Sequence, residues 1–197
     1  MNTSDWDVIV IGAGPAGSTS AALLAEKGHR VLVLDKEKFP RYHIGESMMP
    51  FCWYTLNRLG LVDQMDKIGF QQKHSVQFVT MDGKMSRPFY FFQHHDHPSA
   101  TTWQVERQEF DQMIIDKAVS NGAEFYDETK VLAPIHNEAG AVVGVVAERE
   151  GERHELGAKL VVDASGRDSF YASKNKWRKR DPHLSKVAIW TYYEGAI

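Results

Sequence analysis

The chain has 197 residues, 43% of them hydrophobic and 25% charged, with a formal net charge of −3. That length fits one domain, or one domain with part of another, and the apolar fraction can supply a sizeable core. The slightly acidic balance gives no electrostatic reason to expect nucleic acid, no apolar run reaches the roughly 18 residues of a membrane span, and the chain enters a strand too soon to carry a signal peptide.

Val8 to Ile11 is a short, apolar, β-branched run suited to a parallel strand buried on both faces. Gly12, Gly14 and Gly17 follow as G-x-G-x-x-G, with Pro15 and Ala16 inside the motif. The first glycine allows a tight turn, the second lets backbone approach a pyrophosphate, and the third lets helix and strand pack closely. Ala21, Ala22, Leu24 and Ala25 continue a small-residue helix that should end at Gly28, and Val31 to Leu34 is a second buried strand. Asp35 closes that strand, about 20 residues beyond the glycines, where its carboxylate can accept both ribose hydroxyls of an adenosine. The helix start offers unpaired N–H groups and a positive dipole end to phosphates. A dinucleotide is therefore the expected ligand. An acid at the strand end repels a 2′-phosphate, which argues against NADP and leaves NAD and FAD.

Residues 36–47 form a polar loop leading into a helix that Pro50 opens, with Leu56 and Leu59 on its face and Gly60 as its stop. Cys52 reads as a packed small residue near that helix start; as the single cysteine it cannot form an internal disulfide, which agrees with a reducing, cytoplasmic setting. Loops this long in compact domains are usually functional, and this one leaves the carboxyl edge of the sheet, where ligands bind. Gly45-Glu46-Ser47 is not a G-x-S-x-G nucleophile elbow, since Met48 and Met49 follow directly, so a serine hydrolase is disfavoured.

The run GAGPAG, then LDKEKFPRYHIGESMMP, then a helix ending in LNRLGL resembles the FAD-dependent monooxygenases and halogenases built like p-hydroxybenzoate hydroxylase, whose front end geranylgeranyl reductases share. The resemblance implies a Rossmann-type FAD-binding α/β domain with an antiparallel crossover meander and an antiparallel substrate domain. It places the FAD pyrophosphate at Gly12, Gly14, Pro15, Ala16 and Gly17 and the ribose at Asp35. It also places the loop with Gly45, Glu46 and Ser47 beside the flavin, with Lys36 and Arg41 of the same segment among the cofactor-binding residues.

Val76, Phe78 and Val79, then Phe89 to Phe92, look like strands joined by a hairpin at Asp82-Gly83, antiparallel material that suggests an excursion into a second domain. The aromatics at 89–92 suit either a substrate pocket or ordinary sheet core. Lys73, just before the first of these strands, is the sharpest catalytic candidate. Its placement resembles the lysine with which flavin halogenases hold or carry hypohalous acid, and an ammonium can donate hydrogen bonds to a hypohalite oxygen. His94, His95, Asp96 and His97 have metal-ligand chemistry, but four consecutive residues rarely converge on one ion, so they read as a polar loop with no metal.

Phe110, Met113, Ile114 and Ala118 fall at helical spacing before Asn121-Gly122, and Arg107 opens that helix where the resembled family has an arginine that contacts FAD. Residues 124–156 alternate as strands, with turns at 137–140 and 150–152. The run from Lys159 to Ser169 is a second motif: a buried strand into Asp163, then a small-residue turn with Gly166, resembling the family's second flavin signature. Two ordered motifs favour FAD over NAD. Lys174, Lys176, Arg178, Lys179 and Arg180 form a basic run around Trp177 that reads as a solvated face or as a docking site for an acidic carrier protein or a reductase. Val187 to Tyr193 looks like one more strand.

These readings divide the chain into a discontinuous FAD-binding domain, 1–74 and 104–182, and a partial substrate domain, 75–103 and 183–197. The family's third flavin motif and the W-x-W-x-I-P run of flavin halogenases are absent, so the chain is expected to be the front of a longer protein. Its expected activity is that of an FAD-dependent monooxygenase or halogenase on a small aromatic or electron-rich substrate, with a flavin reductase or NAD(P)H as electron source. A geranylgeranyl reductase-like enzyme and a non-catalytic dinucleotide-binding module are the alternatives.

Overall fold

The structure, a computed structural model, describes residues 6–185, 187 and 189–191. Its first unit is β1 (Trp6–Ile11), α1 (Pro15–Glu26) and β2 (Val31–Leu34), close to the expected bounds. Gly28, at φ +83°, takes the left-handed turn after the helix that L-residues adopt at a cost. The two strands pair in parallel from Val8↔Val31 to Ile11↔Leu34.

After the polar loop come α2 (Cys52–Arg58) and α3 (Val62–Ile68), the latter not anticipated from sequence, ending at Gly69 with φ +82°. The next strands are short: β3 (Gln71–Lys73), β4 (Ser75–Val76), β5 (Phe89–Tyr90) and β6 (Thr102–Gln104). The hairpin at Asp82-Gly83 is present, with the Gly83 amide donating to the Thr80 carbonyl at 2.9 Å. The aromatic run is shorter as a strand than expected, because Phe91–Gln93 turns into a 3-10 helix. β4 pairs with β5, and β3 pairs separately with β6.

The chain then forms α4 (Arg107–Ser120), β7 (Glu124–Tyr126), β8 (Thr129–His136), β9 (Val142–Arg149), β10 (Glu152–Asp163) and α5 (Phe170–Lys174). The six main strands are ordered β7-β2-β1-β10-β9-β8. Two expectations change here. β7 joins the parallel sheet beside β2 rather than the meander. The meander's last strand and the strand into Asp163 are one element: β10 pairs antiparallel with β9 over residues 152–157, then parallel with β1 from Ala158 to Asp163.

Alternation along β1 and β2 explains why both read as uninterrupted apolar runs. Val8, Val10, Val31 and Val33 face α1 and α4, packing with Ala21, Ala22, Phe110, Ile114 and Ala118. Ile9, Ile11, Leu32 and Leu34 face the meander, packing with Val131, Val145, Ala147 and Leu156. A parallel sheet covered on both sides has no polar positions to spare. Of the strand expected at 187–193, residues 188, 192 and 193 lie outside the described residues, and the described ones are not in a strand. No described helix is long and apolar enough to cross a membrane.

Candidate functional site

The β1–α1 turn sits at the carboxyl edge of the sheet, and its three glycines meet three different obstacles. Gly12 has φ +101°, and a β-carbon there would fall 2.6 Å from the Ala164 carbonyl oxygen, so it admits the backbone that follows β10. On Gly17 a β-carbon would fall 1.9 Å from the Gly12 carbonyl oxygen. Gly14 is different: its φ is −71°, and the nearest atom to a β-carbon would be Arg41 Nη2 at 3.7 Å. Its missing side chain leaves space in front of the turn rather than relieving a clash. Gly14 caps α1 without a side-chain hydrogen bond and Pro15 takes the first helical position, so the first-turn amides around Ala16 face outward for a ligand.

Asp35, at the end of β2, is buried. Its Oδ2 accepts from the Ala13 amide at 2.8 Å and its Oδ1 from the Glu37 amide at 3.0 Å. Each oxygen keeps a lone pair for a ribose hydroxyl.

Behind the turn lies a charged group that the sequence reading only half identified. Asp111, one helical turn after Arg107, has no exposed side-chain surface. Its Oδ1 accepts from Arg107 Nε at 2.8 Å, and its Oδ2 accepts from Arg107 Nη2 at 2.9 Å and Arg41 Nη1 at 3.0 Å. Arg107 Nη1 donates to the Ile44 carbonyl at 2.8 Å and would meet a β-carbon on Gly45, whose φ is +109°, at 3.1 Å. Arg41 lies over the Phe39 ring, 4.7 Å from its centroid. Burial, followed by the two arginine charges, pushes the nearby His43 imidazole below its usual pKa. Asp111 was legible after all: an acid at i+4 from an arginine, on the apolar stripe of Phe110, Ile114 and Ile115, is out of place unless it is paired.

Asp163 stands opposite Ile11 in register. Its Oδ1 accepts from the Ser165 amide at 3.1 Å and its Oδ2 from the Tyr171 amide at 2.8 Å, fixing the turn through Gly166 that starts α5. Lys36, at the end of the β2 edge, pairs with Asp168 of that turn at 2.5 Å. The contact raises the lysine pKa and lowers that of the acid.

Residues 46–48 run along one side of β6 and β3 along the other. The Val105 amide donates to the Glu46 carbonyl and the Met48 amide to the Trp103 carbonyl, both at 2.9 Å, while Lys73 stands opposite Thr102. This arrangement brings together two residues 26 positions apart: Lys73 Nζ donates a hydrogen bond to the Ser47 hydroxyl. Burial pushes the Lys73 pKa below its usual value, opposed only in part by Cys52.

An open apolar cleft of about 510 Å3 lies between Met49, Pro50, Phe51 and Tyr54, which follow Ser47 in the chain, and Phe89, Phe91, His95 and Ser99. Phe89 and Phe91 of the aromatic run thus line a cavity. The histidine stretch forms its rim: Tyr54 Oη and His95 Nε2 are 3.0 Å apart and Tyr54 stacks on His97.

The chain is similar to known proteins along most of its length. The FAD binding domain family matches residues 5–183. The chain is 34% identical over 192 residues to a 1H-pyrrole-2-carbonyl-(peptidyl-carrier protein) brominase of Pseudoalteromonas luteoviolacea, covering 96% of this chain and 45% of that protein. It is 35% identical over 195 residues to the flavin-dependent halogenase armH3 of Armillaria mellea, covering 96% and 38%. The solved flavin-dependent brominase Bmp2 superposes with a TM-score of 0.77 at 36% identity, covering 87% of this chain and 41% of that one. The chain thus spans less than half the length of these relatives.

Proposed function

Because the chain belongs to the FAD-dependent monooxygenase and halogenase superfamily and carries its FAD binding domain, we propose that the protein it serves is a flavin-dependent halogenase acting on a small, electron-rich aromatic substrate. FAD is the cofactor, and the residues present fit it. The space in front of Gly14 would be filled by any side chain, the first-turn amides of α1 lack a side-chain cap, and Arg41 Nη2 stands 3.7 Å from the Gly14 β-position. Gly12, Gly14, Pro15, Ala16 and Gly17 with Arg41 and Arg107 would hold the diphosphate, and Asp35 the adenosine ribose. Lys36, Asp163 and Gly166 would shape the turn over the ribityl side, and Gly45, Glu46 and Ser47 would run beside the ring.

When bound, FAD supplies the two-electron chemistry that lets oxygen oxidise halide. The observation that carries the reading is the meeting of Lys73 with Ser47, two residues before the apolar cleft begins at Met49. Ser47 fixes the lysine head, and Lys73 Nζ donates a hydrogen bond to the oxygen of hypohalous acid. Transfer of halogen to an aromatic carbon then breaks the O–X bond and leaves that oxygen as hydroxide, which takes up the ring proton and departs as water. The apolar walls at Phe89 and Phe91 would give an aromatic substrate ring a surface to pack on. Electrons would come from a partner flavin reductase or NAD(P)H, in a cytoplasmic setting that the free Cys52 thiol supports.

The test uses the full-length protein, loaded with FAD, reduced, and given oxygen with and without bromide or chloride. Halide-dependent mass gain in an aromatic substrate, lost in Lys73→Met while FAD remains bound, is the expected result. Hydroxylation that ignores halide overturns the halogenase reading.

A further inference from the structure

We propose that Asp111 is a positioning residue for the cofactor's diphosphate, acting through Arg41 and Arg107. The proposal rests on the FAD reading above and adds a residue to it. Asp111 cannot touch a ligand itself: its side chain has no exposed surface, and its two oxygens are taken by three N–H donors from the two arginines. What it does is set where the guanidinium groups point.

Arg41 shows the consequence. Its Nη1 is held by Asp111 at 3.0 Å, and its Nε faces Glu37 at 3.5 Å. The remaining nitrogen, Nη2, is 3.7 Å from Asp35 Oδ2, too far for a hydrogen bond, and equally 3.7 Å from the β-position of Gly14. A buried guanidinium thus keeps donors uncommitted at the place where the turn opens for a diphosphate. The planar fork makes this directional: with Nη1 anchored from behind by Asp111 and the plane packed on Phe39, Nη2 has one direction left. Arg107 is held twice by the same carboxylate and clasps the Ile44 carbonyl beside Gly45, so Asp111 also ties the loop of residues 44–47 to α4.

Charge arithmetic supports a ligand-directed role. Asp35 and Asp111 balance Arg41 and Arg107, so these four buried groups are neutral among themselves before the cofactor arrives, while the half-exposed Glu37 adds a negative charge at the solvent side. A hydrophobic quartet would pack there without such a requirement on geometry. Without Asp111 the two cations would lose the carboxylate they share, and the guanidinium of Arg41 would be free to turn toward Asp35.

The test measures the affinity of the full-length protein for FAD, and for ADP as a probe carrying the diphosphate without the flavin, in wild type, Asp111→Asn, Arg41→Gln and the double variant. Circular dichroism and thermal melts monitor folding, and Asp111→Glu serves as a second variant. Asp111→Asn should weaken both ligands at least tenfold while the chain stays folded. The double variant should lose less than the product of the single losses, because part of the effect of Asp111 runs through Arg41. Multiplicative losses, unchanged ADP affinity in Asp111→Asn, or unfolding of both the Asn and Glu variants would overturn the proposal. A wild-type chain that takes up neither ligand would instead overturn the FAD reading beneath it.

Discussion

Gly17 and Gly14 stand three residues apart in one motif, and alanine at the two positions should fail in opposite ways. On Gly17 the added carbon would lie 1.9 Å from the Gly12 carbonyl oxygen and 3.1 Å from Val10 Cγ1. A comfortable separation is about 3.5 Å, so α1 would have to back away from β1 across the most tightly packed part of the core. Overpacking costs about 1–3 kcal/mol, and because the obstacle is backbone, which has no rotamer to change, the upper end applies. For a chain of this size each kcal/mol moves the melting temperature by about 2–4 °C, so Gly17→Ala should melt about 6–12 °C lower. At Gly14 the nearest atom is 3.7 Å away and φ is already negative. Gly14→Ala should therefore change stability by no more than about 0.5 kcal/mol, as the lost helix-cap preference and the stiffer unfolded chain offset each other. On the proposed FAD seat, however, the methyl group would stand in the diphosphate approach and should weaken FAD binding by about tenfold or more. Thermal melts by circular dichroism without FAD, followed by fluorescence titration with FAD, separate the two effects. A Gly17→Ala chain that melts within a degree of wild type, or a Gly14→Ala chain that binds FAD normally, would refute the assignment of packing to one glycine and ligand space to the other.

Three further outcomes follow from named contacts. Burial lowers the Lys73 pKa, so between that lowered value and the ordinary 10.5 the unfolded chain binds more protons and stability rises with pH; Lys73→Met should flatten this rise in urea melts without weakening the fold at neutral pH. The Lys36–Asp168 pair behaves oppositely at each end: its contribution is present above the ordinary aspartate value of 3.8 and fades as pH falls through the lowered one, and at the alkaline end it is present below 10.5 and fades as pH rises through the raised lysine value. Both side chains are half exposed, so Asp168→Asn should cost less than about 1 kcal/mol near neutrality in the same melts. Asp163→Ala removes the acceptor for the Ser165 and Tyr171 amides and should expose the segment at 164–171 to limited proteolysis, with a parallel loss of FAD affinity; a digestion pattern identical to wild type would count against it.

The β1–α1–β2 unit was legible because its pattern follows from burial on both faces, which local sequence records directly. β10 was read as two pieces because its composition changes at Gly157, from the polar Glu152 to Glu155 stretch to the apolar Leu160 to Val162 stretch. That change marks a switch of partner, from β9 to β1, rather than an end of the strand, and partners are not written locally. α3 escaped notice because its seven residues carry three charged side chains and only one is buried, Met65. The pairing of Ser47 with Lys73 was out of reach for another reason: each residue was singled out alone, but their contact is created by β6, which lies between their two segments and carries none of the chemistry itself.

That dependence on strand register reaches the cofactor site as a whole. The Ala164 amide donates to the Ile11 carbonyl at 2.9 Å, and the Ala164 carbonyl occupies the space a side chain on Gly12 would need. The glycine turn and the Asp163 turn therefore touch through backbone, and Lys36 with Asp168 joins them again at the surface. A slip of β10 by one residue against β1 would send Asp163 to the other face of the sheet and drive Ala164 out of the Gly12 notch together. Neither half of the seat can form while the other is misplaced, so a ligand that bridges both should stabilise the β1–β10 pairing itself. At a free FAD concentration 100 times its Kd that linkage amounts to about 2.7 kcal/mol. Amide exchange is the place to see it: added FAD should slow exchange in β10 from Ala158 to Asp163, where the strand pairs with β1, more than from Glu152 to Gly157, where it pairs with β9. Equal protection along the whole strand would mean that the two turns are filled independently of the register that joins them.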